Sequence, residues 1–247
     1  MSAFDAAGFL EQFGSEAAQR GLQSHRLAET SAGPVMAWVP PRLEGVRYLS
    51  AGMHGDEPAG PLAALELLRG GQLDQGWIVC PALNPAGLVA GTRENAAGLD
   101  LNRDYLARMS QEVAAHAAWL ETLPVPHAFL SLHEDWESSG FYFYEINLLA
   151  DDPARAHGIL AAVAPWFPPE PEASIDDHAT REPGWIFHEA EADLPEHWPE
   201  AIFLAKRGCP ISFTFETPSS ADLAKRVSAH VAAFGAVADS TAIPAPI

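Results

Sequence analysis

A chain of 247 residues, 48% of them hydrophobic, can bury one full core, and it holds no apolar run of membrane-spanning length. Its formal net charge is −19, with Lys206 and Lys225 its only lysines, so nucleic acid and anionic membrane surfaces are not expected as partners. The first residues carry no basic segment ahead of their apolar ones, and Cys80 and Cys209 are too few for a disulfide framework, so the expectation is a cytoplasmic protein with two buried thiols.

In chain order, residues 4–19 place Phe9, Leu10, Phe13 and Ala17 on one helical face. Leu22 to Ala28 and Val35 to Val39 read as two strands joined by Ser31-Ala32-Gly33-Pro34. Val46-Arg47-Tyr48-Leu49 predicts a short buried strand. The stretch Ser50 to Pro58 follows, and then a helix over Pro61 to Arg69 with Leu62, Leu65 and Leu68 at helical spacing. Pro58 suits the first turn of that helix, and Gly70-Gly71 stop it. Trp77 to Cys80 predicts a central strand leading to Asn84. Residues 86–105 read as a Gly- and Asn-rich loop too polar for the core. Ser110 caps a helix lined by Val113, Ala117 and Leu120 that ends before Pro124. Ala128 to Leu132 and Phe141 to Tyr144 predict strands, and residues 153–164 a helix. Pro165 to Pro199 reads as a long irregular excursion of the kind that covers a site. Ile211 to Phe215 is the last predicted strand, and Leu223, Val227 and Val231 mark a closing helix. Alternating strands and helices with no dividing linker imply one α/β domain over 1–247, its core over 45–235, around a mixed, mostly parallel sheet flanked by helices.

His54, Glu57, Asn84, His133 and Glu216 all fall at or just after the ends of predicted strands. If those strands run parallel, these groups converge on one sheet edge, where open α/β sheets hold their ligands. A neutral imidazole and a carboxylate at the His54–Glu57 spacing can both reach one Zn²⁺, and a distant His completes a hydrolytic site with an open position. The loop Gly91 to Tyr105 adds two arginines and two asparagines as donors to carboxylate or oxyanion groups.

The ordered motifs His54-Gly-Asp-Glu57, Gly91-Thr-Arg93, Asp100-Leu-Asn-Arg103, Leu132-His133 and Thr214-Phe-Glu216 resemble those of the zinc carboxypeptidase family. They are nearest its small bacterial branch, which includes murein peptide amidases, and succinylglutamate desuccinylases and aspartoacylases share part of the pattern. The match runs from about Tyr48 to the closing helix and is weakest between Glu145 and Cys209. The resemblance implies one Zn²⁺ per chain on His54, Glu57 and His133, with Arg93 polarising the scissile carbonyl. It makes Asn102 and Arg103 a clamp on a terminal carboxylate and Glu216 the general base. The implied reaction is hydrolysis of the amide bond next to a carboxylate-bearing terminal residue, on a small peptide. An N-acyl-amino-acid deacylase is the alternative, and a non-catalytic metal- or ligand-binding relative is a further one.

Several residues stay open at this level. Digestive members of the family carry a loop tyrosine before the catalytic Glu, and no tyrosine follows Tyr144 here. Trp185, His188, His197 and Trp198 are candidates to line the pocket instead. Glu134 and Asp135 could hold a second metal, orient His133, or merely shape the pocket. Arg103 could pair with Asp100 or Asp104 rather than with substrate. His25, His116, His127, His157, His178 and His230 receive no role.

Overall fold

The helix–hairpin start is as the sequence reads it. The structure, a computed structural model describing residues 4–74 and 76–238, opens with α1 (Ala6–Gln19), capped by the Asp5 carboxylate on the Gly8 amide at 2.9 Å. The antiparallel pair β1 (Gln23–Thr30) and β2 (Gly33–Val39) follows. β3 (Arg47–Ala51) leads to α2 (Ala59–Arg69), with Pro58 at its N-cap and Gly70 at its C-cap. β4 (Trp77–Cys80) comes next.

The stretch read as a polar loop is partly core. Asn84 caps α3 (Pro85–Ala90), accepting the Gly87 amide at 2.9 Å, and Leu88, Leu101 and Tyr105 are buried. Six residues are too few for periodicity to reveal a helix, but Asn followed by Pro is an N-terminal signal. Ser110 caps α4 (Gln111–Glu121), whose Val113, Ala117 and Leu120 are buried. β5 (Phe129–Asp135), β6 (Tyr142–Asn147) and α5 (Pro153–Val163) fall where the patterns place them.

The excursion over Pro165–Pro199 holds three short strands that its composition conceals: β7 (Ser174–Ile175), β8 (His178–Ala179) and β9 (Trp185–Phe187). α6 (Glu200–Lys206), β10 (Ile211–Pro218) and α7 (Leu223–Ala238) complete the described chain.

The main sheet has the order β1-β2-β4-β3-β5-β10-β6-β9, while β7 and β8 pair separately. The central four, β4, β3, β5 and β10, are parallel; β1, β2 and β6 join antiparallel, and β9 runs parallel to β6. Their side chains alternate between two buried faces. Leu49, Val79, Leu130, Leu132, Phe213 and Phe215 share one cluster with residues of α1, α2, α5 and α7. Tyr48, Ile78, Cys80 and Phe129 share the other with residues of α4 and α6. This is a single α/β domain with a mixed, mostly parallel sheet flanked by helices. Cys80 and Cys209 are buried free thiols whose ionisation burial pushes far up.

Two glycines shape the loop after β3. Gly52 takes a left-handed φ of 63°, turning the chain off the strand. Gly55 lies so close to α3 that a Cβ would stand 1.8 Å from the Gly87 carbonyl carbon. Residues 53–57 are thereby pressed against the end of the sheet.

Candidate metal centre and cleft

Because β3, β5 and β10 are parallel neighbours, their C-terminal ends open on the same edge. His54 and Glu57 lie in the turn between β3 and α2, His133 lies on β5, and Glu216 stands directly opposite His133 in the β5–β10 register. The structure brings His54, Glu57 and His133 together, all buried. The two Nδ1 atoms face each other at 3.3 Å, and the two Glu57 oxygens lie 2.6 Å from His54 Nδ1 and 2.9 Å from His133 Nδ1.

The tautomers test whether a cation fits. Asp100 Oδ1 lies 3.2 Å from His54 Nε2, so that nitrogen carries the proton and donates it. In a neutral imidazole this leaves the Nδ1 lone pair aimed at the Glu57 carboxylate, acceptor against acceptor. Only a second proton or a metal ion resolves that contact. Burial opposes charge on His54, but Glu57, Asp100 and the hydrogen bonds overcome it and raise the imidazole to about 9. Glu57 is held well below the usual carboxylate range, because the two histidines outweigh its burial. Nitrogen ligands around a tetrahedral zinc at about 2.0–2.1 Å stand about 3.3 Å apart, the Nδ1–Nδ1 separation observed. The 2.6 and 2.9 Å contacts to Glu57 are instead those of charge-assisted hydrogen bonds, so it is the donor types, two imidazoles and a carboxylate, that suit the ion. The donor set fits Zn²⁺.

Asp100 was not singled out as a site residue. Besides holding His54, it accepts Arg93 Nε at 3.1 Å and the Asn102 amide at 2.8 Å. It therefore fixes the orientation of both a presumed ligand and a presumed catalytic cation, the service that outer carboxylates give metal-bound imidazoles. Arg93 Nη1 reaches within 3.8 Å of Glu57 Oε1, and the guanidinium remains partly open to the cleft. Asn102 and Arg103 sit in the short helical turn after Asp100. The Asn102 Oδ1 accepts the Glu200 amide at 3.0 Å, so its carboxamide oxygen is committed to tethering α6. Arg103 is exposed and donates to the Asn102 carbonyl at 3.0 Å. It pairs with neither Asp100 nor Asp104. The latter is engaged by the amides of Met109 and Ser110 and by the Ser110 hydroxyl.

Glu216 is half-buried, and its carboxyl group makes no hydrogen bond among the described residues. Burial, then the charges of Glu57 and Asp135, push its carboxyl well above the ordinary range, against the pull of Arg93. Both Glu216 and the trio line a cavity of about 520 Å³, together with Arg93, Asn102 and Arg103. A small peptide or acyl amino acid fits that volume. Tyr142 and Tyr144 on β6 also line it, opposite Glu216 and Thr214. His188 and His197 line it too, as does His178, which has no role in the sequence reading. Trp185 does not; it is wholly buried on β9. Trp198 is half-buried against the core beside α6.

Glu134 is turned away from the metal trio. Its Oε1 accepts the Ala59 amide at 2.7 Å, at the start of α2, and its Oε2 is bound by Arg226 of α7. That removes it as host of a second ion. Asp135 accepts the Glu137 amide at 2.9 Å and the Tyr142 hydroxyl at 3.1 Å. The Glu134–Arg226 pair is buried, and losing one partner strands the other. Arg226→Met is expected to lower stability by about 3–5 kcal/mol, read from urea unfolding. A change below about 1 kcal/mol would show that Glu134 accepts burial as the neutral acid.

A second buried network centres on Glu200 at the start of α6. Glu200 accepts Tyr48 and Ser50 hydroxyls at 2.8 and 2.7 Å, and burial pushes its carboxyl up to about 7. His116 lies between the hydroxyls of Tyr48 and Tyr105 at 2.9 and 2.8 Å, and burial lowers it to about 3, so it stays neutral. Glu200 was invisible in the sequence, as one acid in a Pro- and Glu-rich stretch.

Residues 46–152 match the family described as the succinylglutamate desuccinylase/aspartoacylase catalytic domain. Among solved structures, a candidate metallopeptidase from Shewanella amazonensis SB2B superposes with a TM-score of 0.82 at 26% identity, covering 94% of this chain and 91% of that one. A metallo-carboxypeptidase from Burkholderia cenocepacia gives 0.68 at 16% identity, over 94% of this chain and 67% of that one. The murein-tripeptide amidase MpaA of Escherichia coli O157 gives 0.59 at 17% identity, over 90% and 94%. At these last two identities the likeness shows the fold alone. A search of curated proteins returned no match. The chain has the zinc carboxypeptidase-like fold, and the resemblance read from its motifs to that family and its desuccinylase–aspartoacylase relatives holds. No described helix is long and apolar enough to cross a membrane.

Proposed function

We propose that this chain is a zinc-dependent hydrolase that cleaves the amide bond next to a carboxylate-bearing terminal residue, with a small peptide as substrate. The observation that carries the reading is the buried His54–Glu57–His133 trio, two imidazoles and a carboxylate within reach of one ion, with Glu216 in register beside it. The kinship with metallopeptidase and amidase folds supports an enzyme. A zinc ion on the trio supplies Lewis acidity to a carbonyl and lowers the pKa of water.

The protein's own groups do the rest. Glu216 takes the proton of the attacking water on a carboxylate oxygen and delivers it to the nitrogen of the departing amine. Arg93, steadied by Asp100, donates N–H groups to the oxygen of the scissile carbonyl as negative charge develops there. Arg103 and the Asn102 amide group hold the terminal carboxylate, which sets the scissile bond at a fixed reach from the trio. An N-acyl-amino-acid deacylase is the second reading, favoured by the family matched over residues 46–152.

Two measurements test this. His133→Ala is expected to lose the ion of the trio, and with it turnover, as elemental analysis against wild type reads directly. Retention of that ion would dismiss the ligand assignment. Amine release from dipeptides, cell-wall peptides and N-acyl amino acids then separates the two readings, since a deacylase acts only on the last.

A further inference from the structure

Outside the metal trio, a second cluster occupies the rim of the same cavity. His178 on β8, His188 just after β9 and Asp193 in the following loop bring one donor atom each within 4.8 Å of the others. His178 Nε2 lies 3.4 Å from Asp193 Oδ2, and His188 Nε2 lies 3.4 Å from Asp193 Oδ1. Both imidazoles thus turn the same nitrogen toward one carboxylate. Tyr144 stands edge-on to both rings, at centroid distances of 5.5 and 6.1 Å, and restricts their rotation.

The second nitrogen of His188 decides what this arrangement asks for. His188 Nδ1 lies 2.5 Å from the Glu189 carbonyl oxygen, an acceptor only, so Nδ1 carries the proton. In the neutral ring Nε2 is then a lone pair facing the carboxylate. A charge-assisted hydrogen bond would draw the two together to about 2.7–2.9 Å. The observed 3.4 Å is instead near the edge, about 3.3 Å, of a tetrahedron of ligands around zinc. A backbone carbonyl holding the far N–H is also the usual support of a metal-bound imidazole.

We propose that His178, His188 and Asp193 form a second zinc site, separate from the catalytic trio, that ties β8 to the loop after β9 at the cavity rim. Two imidazoles and one carboxylate suit a borderline divalent ion and leave positions for water or an anionic substrate group. The ion joins two stretches of the irregular excursion, and it places positive charge at the mouth of an acidic protein's cleft. The site stands on its own residues and does not depend on the catalytic reading.

The test is the number of Zn²⁺ equivalents bound by chelator-stripped full-length protein, measured by calorimetric titration and elemental analysis. Wild type is expected to bind two, and His133→Ala one. His178→Ala/His188→Ala is expected to bind one, as is Asp193→Asn, whose exposed side chain carries no core packing. One equivalent in wild type that survives in the rim variants and disappears in His133→Ala overturns the rim site and leaves the catalytic reading standing. One equivalent that disappears only in the rim variants keeps this proposal and overturns the catalytic ligand set. Two equivalents persisting in the rim variants place the second ion elsewhere and overturn the proposal.

Discussion

Glu216→Gln is expected to lower kcat by about 10²–10⁴-fold while the trio keeps its ion. The substitution preserves the shape of the side chain and removes only its capacity to accept a proton. The Glu216 carboxyl group has no hydrogen bond among the described residues to lose, so the fold has little reason to change. Its place on β10, directly across from His133, fixes it beside the trio through the backbone register rather than through a flexible loop. KM should move little, because the carboxylate acts on the reacting atoms and not on the bound terminus. Steady-state kinetics together with zinc content decide the matter. Near-normal kcat at full metal content would remove Glu216 as the base.

The second large effect concerns recognition. A peptide with a free C-terminus is expected to be hydrolysed far faster than its amide, and Arg103→Ala should erase most of that preference. The basis is what surrounds Arg103. Asp100 is taken up by His54, Arg93 and the Asn102 amide, and Asp104 by the Met109–Ser110 turn. Arg103 makes no ion pair with any carboxylate among the described residues, so its fork is left for an incoming one. Losing a charge-assisted contact should cost about 2–4 kcal/mol in kcat/KM, on the order of 10²-fold or more. Arg103→Lys should restore part of it, since an ammonium cannot meet both carboxylate oxygens in one plane. The deciding ratio is kcat/KM on acid over amide for all three proteins. Equal rates on acid and amide in wild type would dispose of the clamp and of cleavage beside a terminal carboxylate.

The sheet was legible because its strands announce themselves. Trp77 to Cys80 and Phe129 to Leu132 are short apolar runs bounded by polar or turn residues, and both are buried on both faces. The convergence of His54, Glu57, His133 and Glu216 was legible too, once parallel pairing carried the ends of β3, β5 and β10 to one edge. What escaped was decided by tertiary contact. β9 is three residues long and exists because Phe143 to Glu145 offer it a partner. α6 begins behind Pro199 without a side-chain cap, its first amide satisfied by Asn102 from 98 residues away. Asp100 lay within a quoted motif, yet its role depends on meeting His54 across 46 residues, which no local pattern records. The rim histidines lie ten apart in a stretch without period, and only the fold of the excursion makes them neighbours.

The distribution of the four inward groups along the chain has a consequence for how the molecule is made. His54 and Glu57 are separated from His133 by the whole of α2, β4, α3 and α4, and Glu216 arrives only with the penultimate described element. The pairings that join them, Tyr48 with Phe129 and Phe215 with Leu132, each close a loop of some eighty residues. Such contacts form late, since the entropy of closing the loop is spent before any burial returns it. An emerging chain therefore holds no working cleft until β10 has slotted between β5 and β6. Topology alone thus keeps a partly folded chain from assembling His54, Glu57, His133 and Glu216 at one edge. Pulse-labelled amide exchange during refolding would show it as simultaneous protection of the His133 and Glu216 strands, trailing that of the β1–β2 hairpin.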